Sequence, residues 1–196
     1  MPDRLTTIPE DFHRKFDVDY DSSTDALLMA LFKVMKKKPF ADISVTEVCH
    51  AAGLSRKTFY KYFPDKEALL DYLTEDLVLG YYNFKLSDTD TDCDLRFRSF
   101  LHYFSFWYSM KEWVGLLVRD GLWERIATPN EHAFGMLAYR DWGNYLNQSP
   151  EALEMTLSFV SAGCMNMVNE WSKNGFLQTP VEMAQIVTYA LSGKLY

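Results

Sequence analysis

ISVTEVCHAAGLSRKTFYKYFPDKEALL, residues 43–70, packs two helix starts, a glycine turn and a proline stop into twenty-eight residues. Ser44 stands three residues before Glu47, the S-x-x-E capping box that satisfies two backbone donors at a helix start. Val45, Val48, Cys49 and Ala52 follow at helical spacing and make a narrow apolar face. Gly53 then supplies the permissive φ of a sharp turn. Leu54 rejoins the apolar set, and Ser55 is positioned to cap a second helix, Arg56 to Phe63, which Pro64 stops. Two short helices about a glycine turn make a helix-turn-helix.

The second helix sorts its residues by face. Phe59 and Phe63, four apart, point back toward the first helix, while Arg56, Lys57, Tyr60 and Lys61 share the other side. Cations and a phenol on an open face suit DNA, because they neutralise phosphates and because arginine or lysine can hydrogen-bond guanine edges in the major groove. A solvated amphipathic helix explains a basic octapeptide standing alone. It does not explain one preceded by a capping box, a glycine turn and a second cap.

The run GLSRKTFYKYFPDKEALL, Gly53 to Leu70, resembles the DNA-binding module of the TetR family of bacterial transcription regulators, and KKKPF, Lys36 to Phe40, is similar to the end of the first helix in some members. The resemblance implies an all-α homodimer: an N-terminal three-helix helix-turn-helix DNA-binding domain, a connector helix, and a C-terminal helical domain for dimerisation and ligand binding. It further implies a repressor released from a pseudo-palindromic operator by a small-molecule effector, with the connector moving when the effector binds. By motif position Arg56, Lys57 and Tyr60 approach bases or adjacent phosphates. Ser44, Ser55, Thr58, Lys61, Tyr62 and Lys66 hold the DNA backbone, a contact that positions without specifying. Lys66 follows Asp65, the expected cap of the connector, whose first amides can also face a phosphate.

Composition sets the outer bounds. With 196 residues and 48% apolar content the chain has material for a proper core in one or two domains. Cys49, Cys93 and Cys164 are odd in number and far apart, which predicts free thiols in a reducing, cytoplasmic setting. Residues 1–20 mix acids and bases throughout, so no secretory signal is read there, and no apolar run is long enough to span a bilayer. The net charge of −7 conceals an asymmetry: residues 31–66 carry eight Lys/Arg against three Asp/Glu, or +5, which leaves −12 on the remainder. A basic head on an acidic body repels DNA everywhere except at the head.

The expected organisation is an N-terminal arm (1–20), a helix-turn-helix domain (21–67) and a helical body (68–196). The arm has poor periodicity, and its Arg4, Arg14 and Lys15 are outnumbered by acids, which argues against a minor-groove role. A first helix capped by Asp21, Ser22 or Ser23 carries Leu27, Leu28, Leu31, Phe32, Val34 and Met35, ends on Lys36 to Lys38, where cations complement the helix dipole, and stops at Pro39. The connector runs from Asp65 to about Phe84 with Leu69, Leu70, Leu73, Leu77 and Tyr81 on one stripe. SDTDTDCD, Ser87 to Asp94, reads as a loop; its D-x-D-x-D string lacks the glycine and distal glutamate of a calcium loop.

Beyond it, Phe97, Phe100, Leu101, Phe104, Trp107 and Tyr108 follow helical spacing. A next helix carries Trp113, Leu116 and Leu117, with Gly115 and Gly121 marking its end, and another covers 130–146. Each ring taken singly reads as core. Together, Tyr103, Trp107, Tyr108, Trp113, Tyr139 and Trp142 have polar tips able to orient an amphipathic or aromatic ligand. The last two helices start on Ser149-Pro150 and on Thr179-Pro180-Val181-Glu182. Their stripes are Leu153, Leu157, Val160, Cys164, Met167, Val168 and Trp171 on one and Met183, Ile186, Val187, Ala190 and Leu191 on the other. Further apolar residues lie off both stripes, which predicts a twofold four-helix interface.

An enzyme is not expected. His13, His50, His102 and His132 show no paired-ligand spacing, and no phosphate-binding loop or nucleophile elbow occurs, so neither a metal nor a cofactor is expected. A DNA-bound organising protein without a small ligand and a ligand-gated activator remain open alternatives to the repressor.

Overall fold

A computed structural model describes residues 22–84, 94–128 and 149–192. The arm, most of the acidic loop with Cys93, the helix expected over 130–146, and with it Tyr139 and Trp142, lie outside the described residues. Among the described residues every regular element is helical. In chain order they are α1 (Ser22–Met35), a 3₁₀ turn (Phe40–Asp42), α2 (Val45–Ala52), α3 (Arg56–Tyr62), α4 (Lys66–Asn83), α5 (Leu95–Ser109), α6 (Lys111–Arg119), a helical stretch over 123–128 (α7), α8 (Pro150–Lys173) and α9 (Pro180–Leu191).

The starts obey the capping chemistry of the sequence. Ser44 and Glu47 form a reciprocal box, as do Thr179 and Glu182, and Ser55, Asp65, Asp94 and Ser149 each accept a backbone N–H in the first turn of the helix they open. α1 ends at Met35, ahead of the expected stop at Pro39. The residue before a proline is pushed out of the helical region, and the carbonyls of Met35 and Lys38 accept instead from Arg119. Gly115 does not end α6, as the sequence suggested, but lies inside it; the reversal falls at Gly121, whose φ of 70° is left-handed.

α1, α2 and α3 pack on one another, and α1 also meets α4, making a small head around Leu27, Leu28, Leu31, Met35, Val48 and Phe59, all essentially sealed from solvent. In the body α5 packs along α9, while α6 packs against α8 and α5. One apolar core runs through both, carried across by Leu69, Leu70, Leu73, Leu77 and Tyr81 of α4. Tyr81 lies edge-on to Tyr103 and Phe106 of α5. The buried face of α5 is broader than one stripe, taking in Tyr103 and Phe106, because helices pack on it from more than one side.

On α8 the stripe Leu153, Leu157, Val160, Cys164, Val168 and Trp171 is used within the chain. Trp171 stacks on Tyr108, meets Phe104 and Phe176 edge-on, and donates its indole N–H to the Gln178 carbonyl at 3.1 Å. What α8 leaves in solvent is a second apolar set, Met155 and Phe159, followed by Ala162 and Gly163. On α9, Met183 and Val187 are buried, whereas Val181, Ile186, Tyr189 and Leu191 are exposed.

Candidate nucleic-acid interface

The recognition unit is built from its caps. Ser44 Oγ accepts from Glu47 N while Glu47 Oε2 accepts from Ser44 N at 2.9 Å, and Lys38 Nζ closes on the other carboxylate oxygen at 2.5 Å. Those donors hold the exposed Glu47 carboxyl at a pKa of about 2: the Lys38 bond contributes most, then the Ser44 backbone and hydroxyl. Gly53 turns the chain with φ 68°, ψ 25°, a left-handed conformation that a side chain would strain. Ser55 Oγ then accepts from Thr58 N at 3.0 Å and shares a hydrogen bond with the Thr58 hydroxyl.

α3 is anchored by Phe59, fully buried, and by Phe63 at its end; the two rings lie 5.9 Å apart, and Phe63 also meets Tyr72 of α4. With those rings fixed, Arg56, Lys57, Tyr60 and Lys61 emerge together on the opposite side, all exposed. Arg56 donates to the Tyr60 hydroxyl at 3.3 Å and sits 5.6 Å from its ring centre. That hydrogen bond raises the guanidinium pKa still further and pre-orients the pair. Lys61 makes the corresponding contact with Tyr62 at 3.1 Å. Lys57 extends from the same face, and among the described residues neither it nor Lys61 has a carboxylate partner. Ser44 and Ser55 are exposed at the two helix starts.

Lys66 is engaged within the head. Read from sequence as a phosphate ligand, its ammonium instead turns back to the carbonyls of Phe40, Ala41 and Ile43 at 2.8, 2.9 and 2.9 Å and lies 4.7 Å from the Phe40 ring centre. An ammonium has three donors, and all three are occupied. Lys66 therefore fastens the α1–α2 connection to the start of α4.

The four described aromatic residues expected to gather around a ligand are divided among three surroundings. Tyr103 and Trp107 are interior neighbours on α5, and the Tyr103 hydroxyl donates to Met165 Sδ at 2.7 Å. Tyr108 is half-buried against Trp171 with Lys111 over its ring. Trp113 packs on Phe32 of α1 with ring centres 4.5 Å apart. Among the described residues, the buried indole N–H groups of Trp107 and Trp113 have no hydrogen-bond partner. An open groove of about 700 Å³ lies elsewhere, between the start of α5 and α9, with Phe97, Ile186 and Tyr189 on its walls and Asp94, Arg96 and Gln185 at its polar edge; none of the four rings lines it.

Residues 27–73 match the family model for bacterial regulatory proteins of the tetR family, and residues 97–193 match one for the C-terminal region of transcriptional regulators. The chain belongs to the TetR family. The matched N-terminal segment takes in α2, the Gly53 turn and α3, so the helix-turn-helix described above is the one of that family's head. Among relatives, this TetR-family chain is 35% identical over 83 residues to the HTH-type transcriptional regulator EthR of Mycobacterium tuberculosis (strain ATCC 25618 / H37Rv), a match covering 40% of this chain and 38% of that protein. The same figures hold for EthR of Mycobacterium bovis. With EthR of Mycolicibacterium smegmatis identity is 43% over 58 residues, or 30% of this chain and 27% of the relative. These matches span well under half the length of each relative.

Among the described residues no group of His, Cys, Asp and Glu is placed to hold a metal ion, and no helix is long and apolar enough to cross a membrane. Cys49 and Cys164 are free and buried, and burial raises both thiol pKa values. Sequence reasoning missed Arg119, Asp120 and Arg125. Arg125 grips Asp71 of α4 through two hydrogen bonds at 2.6 and 2.8 Å. No local pattern announces such contacts, because their partners lie more than fifty residues away.

Proposed function

We propose that the protein is a homodimeric, sequence-specific DNA-binding repressor, released from a pseudo-palindromic operator by a small molecule bound in its body. The observation that carries the DNA half of this reading is the sorting of α3: Phe59 and Phe63 are buried while Arg56, Lys57, Tyr60 and Lys61 stand in solvent as one group. Arg56, Lys57 and Tyr60 meet base edges and flanking phosphates. Ser44, Ser55, Thr58, Lys61 and Tyr62 act on the sugar-phosphate backbone. In this reading the head ends near residue 67, the body follows from 68, and the protein works in the cytoplasm, where Cys49 and Cys164 stay reduced.

The dimer is supported by the second apolar set on α8 and α9. Met155, Phe159, Ile186 and Tyr189 are 65%, 71%, 49% and 56% exposed, and a twofold axis beside these helices buries each copy's set on the other's. Two copies of α3 then stand about one helical turn apart, roughly 34–36 Å, on successive major grooves. An effector that changes the body changes that spacing. The interior rings of α5 and α6, Tyr103, Trp107 and Trp113, supply apolar surface and, in the two indoles, donors awaiting an acceptor.

The test is footprinting of the bound sites across a genome combined with sedimentation of the purified chain. Paired half-sites one turn apart and a dimer mass are expected. Scattered binding with no recurring sequence overturns the reading.

A further inference from the structure

α6 touches the head at three levels, all with side chains along one side of the helix. Glu112 pairs with Lys36 just past α1, Trp113 packs its ring on Phe32, and two turns later Arg119 and Asp120 reach the turn between α1 and α2. The last contact is the most specific. Arg119 donates to the carbonyl of Met35 at 2.8 Å and to that of Lys38 at 3.4 Å, and is itself held by Asp120 through two bonds at 2.7 and 3.0 Å. Asp120, with its side chain 3% exposed, accepts the backbone N–H of Phe40 at 2.8 Å. The 36–43 turn is therefore gripped from both ends. α6 takes the carbonyls of 35 and 38 and the amide of 40, while Lys66 of α4 takes the carbonyls of 40, 41 and 43. Its far end is Ser44, the cap of α2, and Lys38 within it pairs with Glu47 of the same cap.

The adjoining side of α6 carries the buried Val114 and Leu117, and α6 packs against α8. A continuous line of packed elements thus runs from α8, whose outer face is the apolar set described above, through α6 to the start of the recognition unit. α4 provides a separate line. Its N-terminus is fastened to the same turn by Lys66, and its Asp71 is held by Arg125.

We infer that Arg119 and Asp120 are positioning residues for DNA reading: they fix the attitude of the helix-turn-helix against the body through the 36–43 turn, so a displacement of α6 reaches α3 without passing along α4. The inference rests on the reading of α3 as the DNA-contacting helix. Neither residue needs to touch DNA. A charged pair that holds backbone groups of a turn sets geometry, and coupling residues of this kind change affinity by about tenfold.

The experiment uses the full chain with Cys93 replaced by Ser and spin labels attached at Thr46→Cys, exposed on α2, and Asn174→Cys, exposed at the end of α8. Labelled chains are diluted with unlabelled ones so that only the head-to-body distance within one chain is read. R119A and D120N are compared with R119K, which keeps a cation able to reach the turn, and affinity is measured for a duplex selected from a random pool by the unaltered protein. Expected are a shifted or broadened distance in R119A and D120N, a distance near the original in R119K, and about tenfold weaker binding to the selected duplex with unchanged mass and helix content. An unchanged distance in both R119A and D120N overturns the inference, as does a changed distance with full affinity. Should R119A not fold, D120N, which preserves side-chain volume, decides by the same readings. If the unaltered protein selects no duplex while the distances shift as expected, the positioning role stands and the DNA reading of α3 is what fails.

Discussion

Replacing Lys66 by Met separates two incompatible roles for one cation. The thioether side chain keeps most of the lysine stem, so the substitution removes chiefly the ammonium and leaves the carbonyls of Phe40, Ala41 and Ile43 without their common donor. A hydrogen bond from a charged donor contributes ~1.5–3 kcal/mol. The three here share one charge, and the carbonyl of Ala41 is open to water. The sum is therefore far from three independent bonds, and a loss of about 2–4 kcal/mol is expected. For a chain of this size that lowers Tm by about 5–12 °C, followed by circular dichroism. Operator affinity should fall through the loosened turn, while the slope of log K against log salt stays nearly constant. A lysine that neutralised a phosphate would behave in the opposite way. Tm would be unmoved, and the slope would flatten by about 0.9 per copy. That second pattern would refute the assignment of Lys66 to the α1–α2 connection.

Other consequences follow from the same contacts. Arg56→Ala should weaken operator binding by about tenfold or more and relax the preference at one base position, and Tyr60→Phe, which keeps the ring but removes the acceptor that orients Arg56, should do so less; both are measured by fluorescence anisotropy on matched and mismatched duplexes. Glu47 has a depressed pKa, so its contribution to the cap is complete above the ordinary carboxylate range and is lost as pH falls through about 2. NMR titration of its side chain should show that value, and Lys38→Ala should move it up toward the usual range, with 0.5 M salt acting in the same direction because the pair is exposed, at roughly a 4 Å Debye length. Phe159→Glu should yield monomers by sedimentation with helix content intact, whereas Trp171→Ala should cost about 3–5 kcal/mol of stability, because Trp171 is inside the chain's own core.

Legibility in the sequence followed the range of the interaction. Both capping boxes, the Gly53 turn and the stop after α3 are written within a few neighbouring residues, and the sequence predicts them where they occur. The opposition of Phe59 and Phe63 to Arg56, Lys57 and Tyr60 was readable for the same reason, since helical periodicity places them on different faces before any partner is known. Lys66 was not readable. Its partners are backbone carbonyls 23 to 26 residues upstream, and every residue has a carbonyl, so no side-chain pattern marks the ones it meets. Arg119 and Asp120 escaped notice likewise, with partners about eighty residues away. On α8 the difficulty was different. The stripe ending at Trp171 and the set containing Phe159 are both apolar, and hydrophobicity alone does not say which turns inward. The answer depends on where α6 and α5 supply partners, which is a property of the assembled body.

The charge asymmetry of the sequence acquires a sharper meaning once these partners are known. Of the eight cations between residues 31 and 66, Lys36 is paired with Glu112, Lys38 with Glu47, and Lys66 is spent on backbone carbonyls. Lys33, Lys37, Arg56, Lys57 and Lys61 are exposed and have no carboxylate partner among the described residues. Three of those five stand on α3, and the other two lie at the end of α1. The cations available to phosphate are thus fewer than the raw count suggests but concentrated on the element that also presents Tyr60. The three withdrawn ones have a common destination: Lys38 and Lys66 secure the cap and the turn that precede α2, and Lys36 ties the same turn to α6. The basic segment therefore does two jobs with one residue type. In the proposed reading, exposed lysines attract the polyanion without choosing a sequence, and partnered lysines hold the frame from which Arg56 and Tyr60 choose.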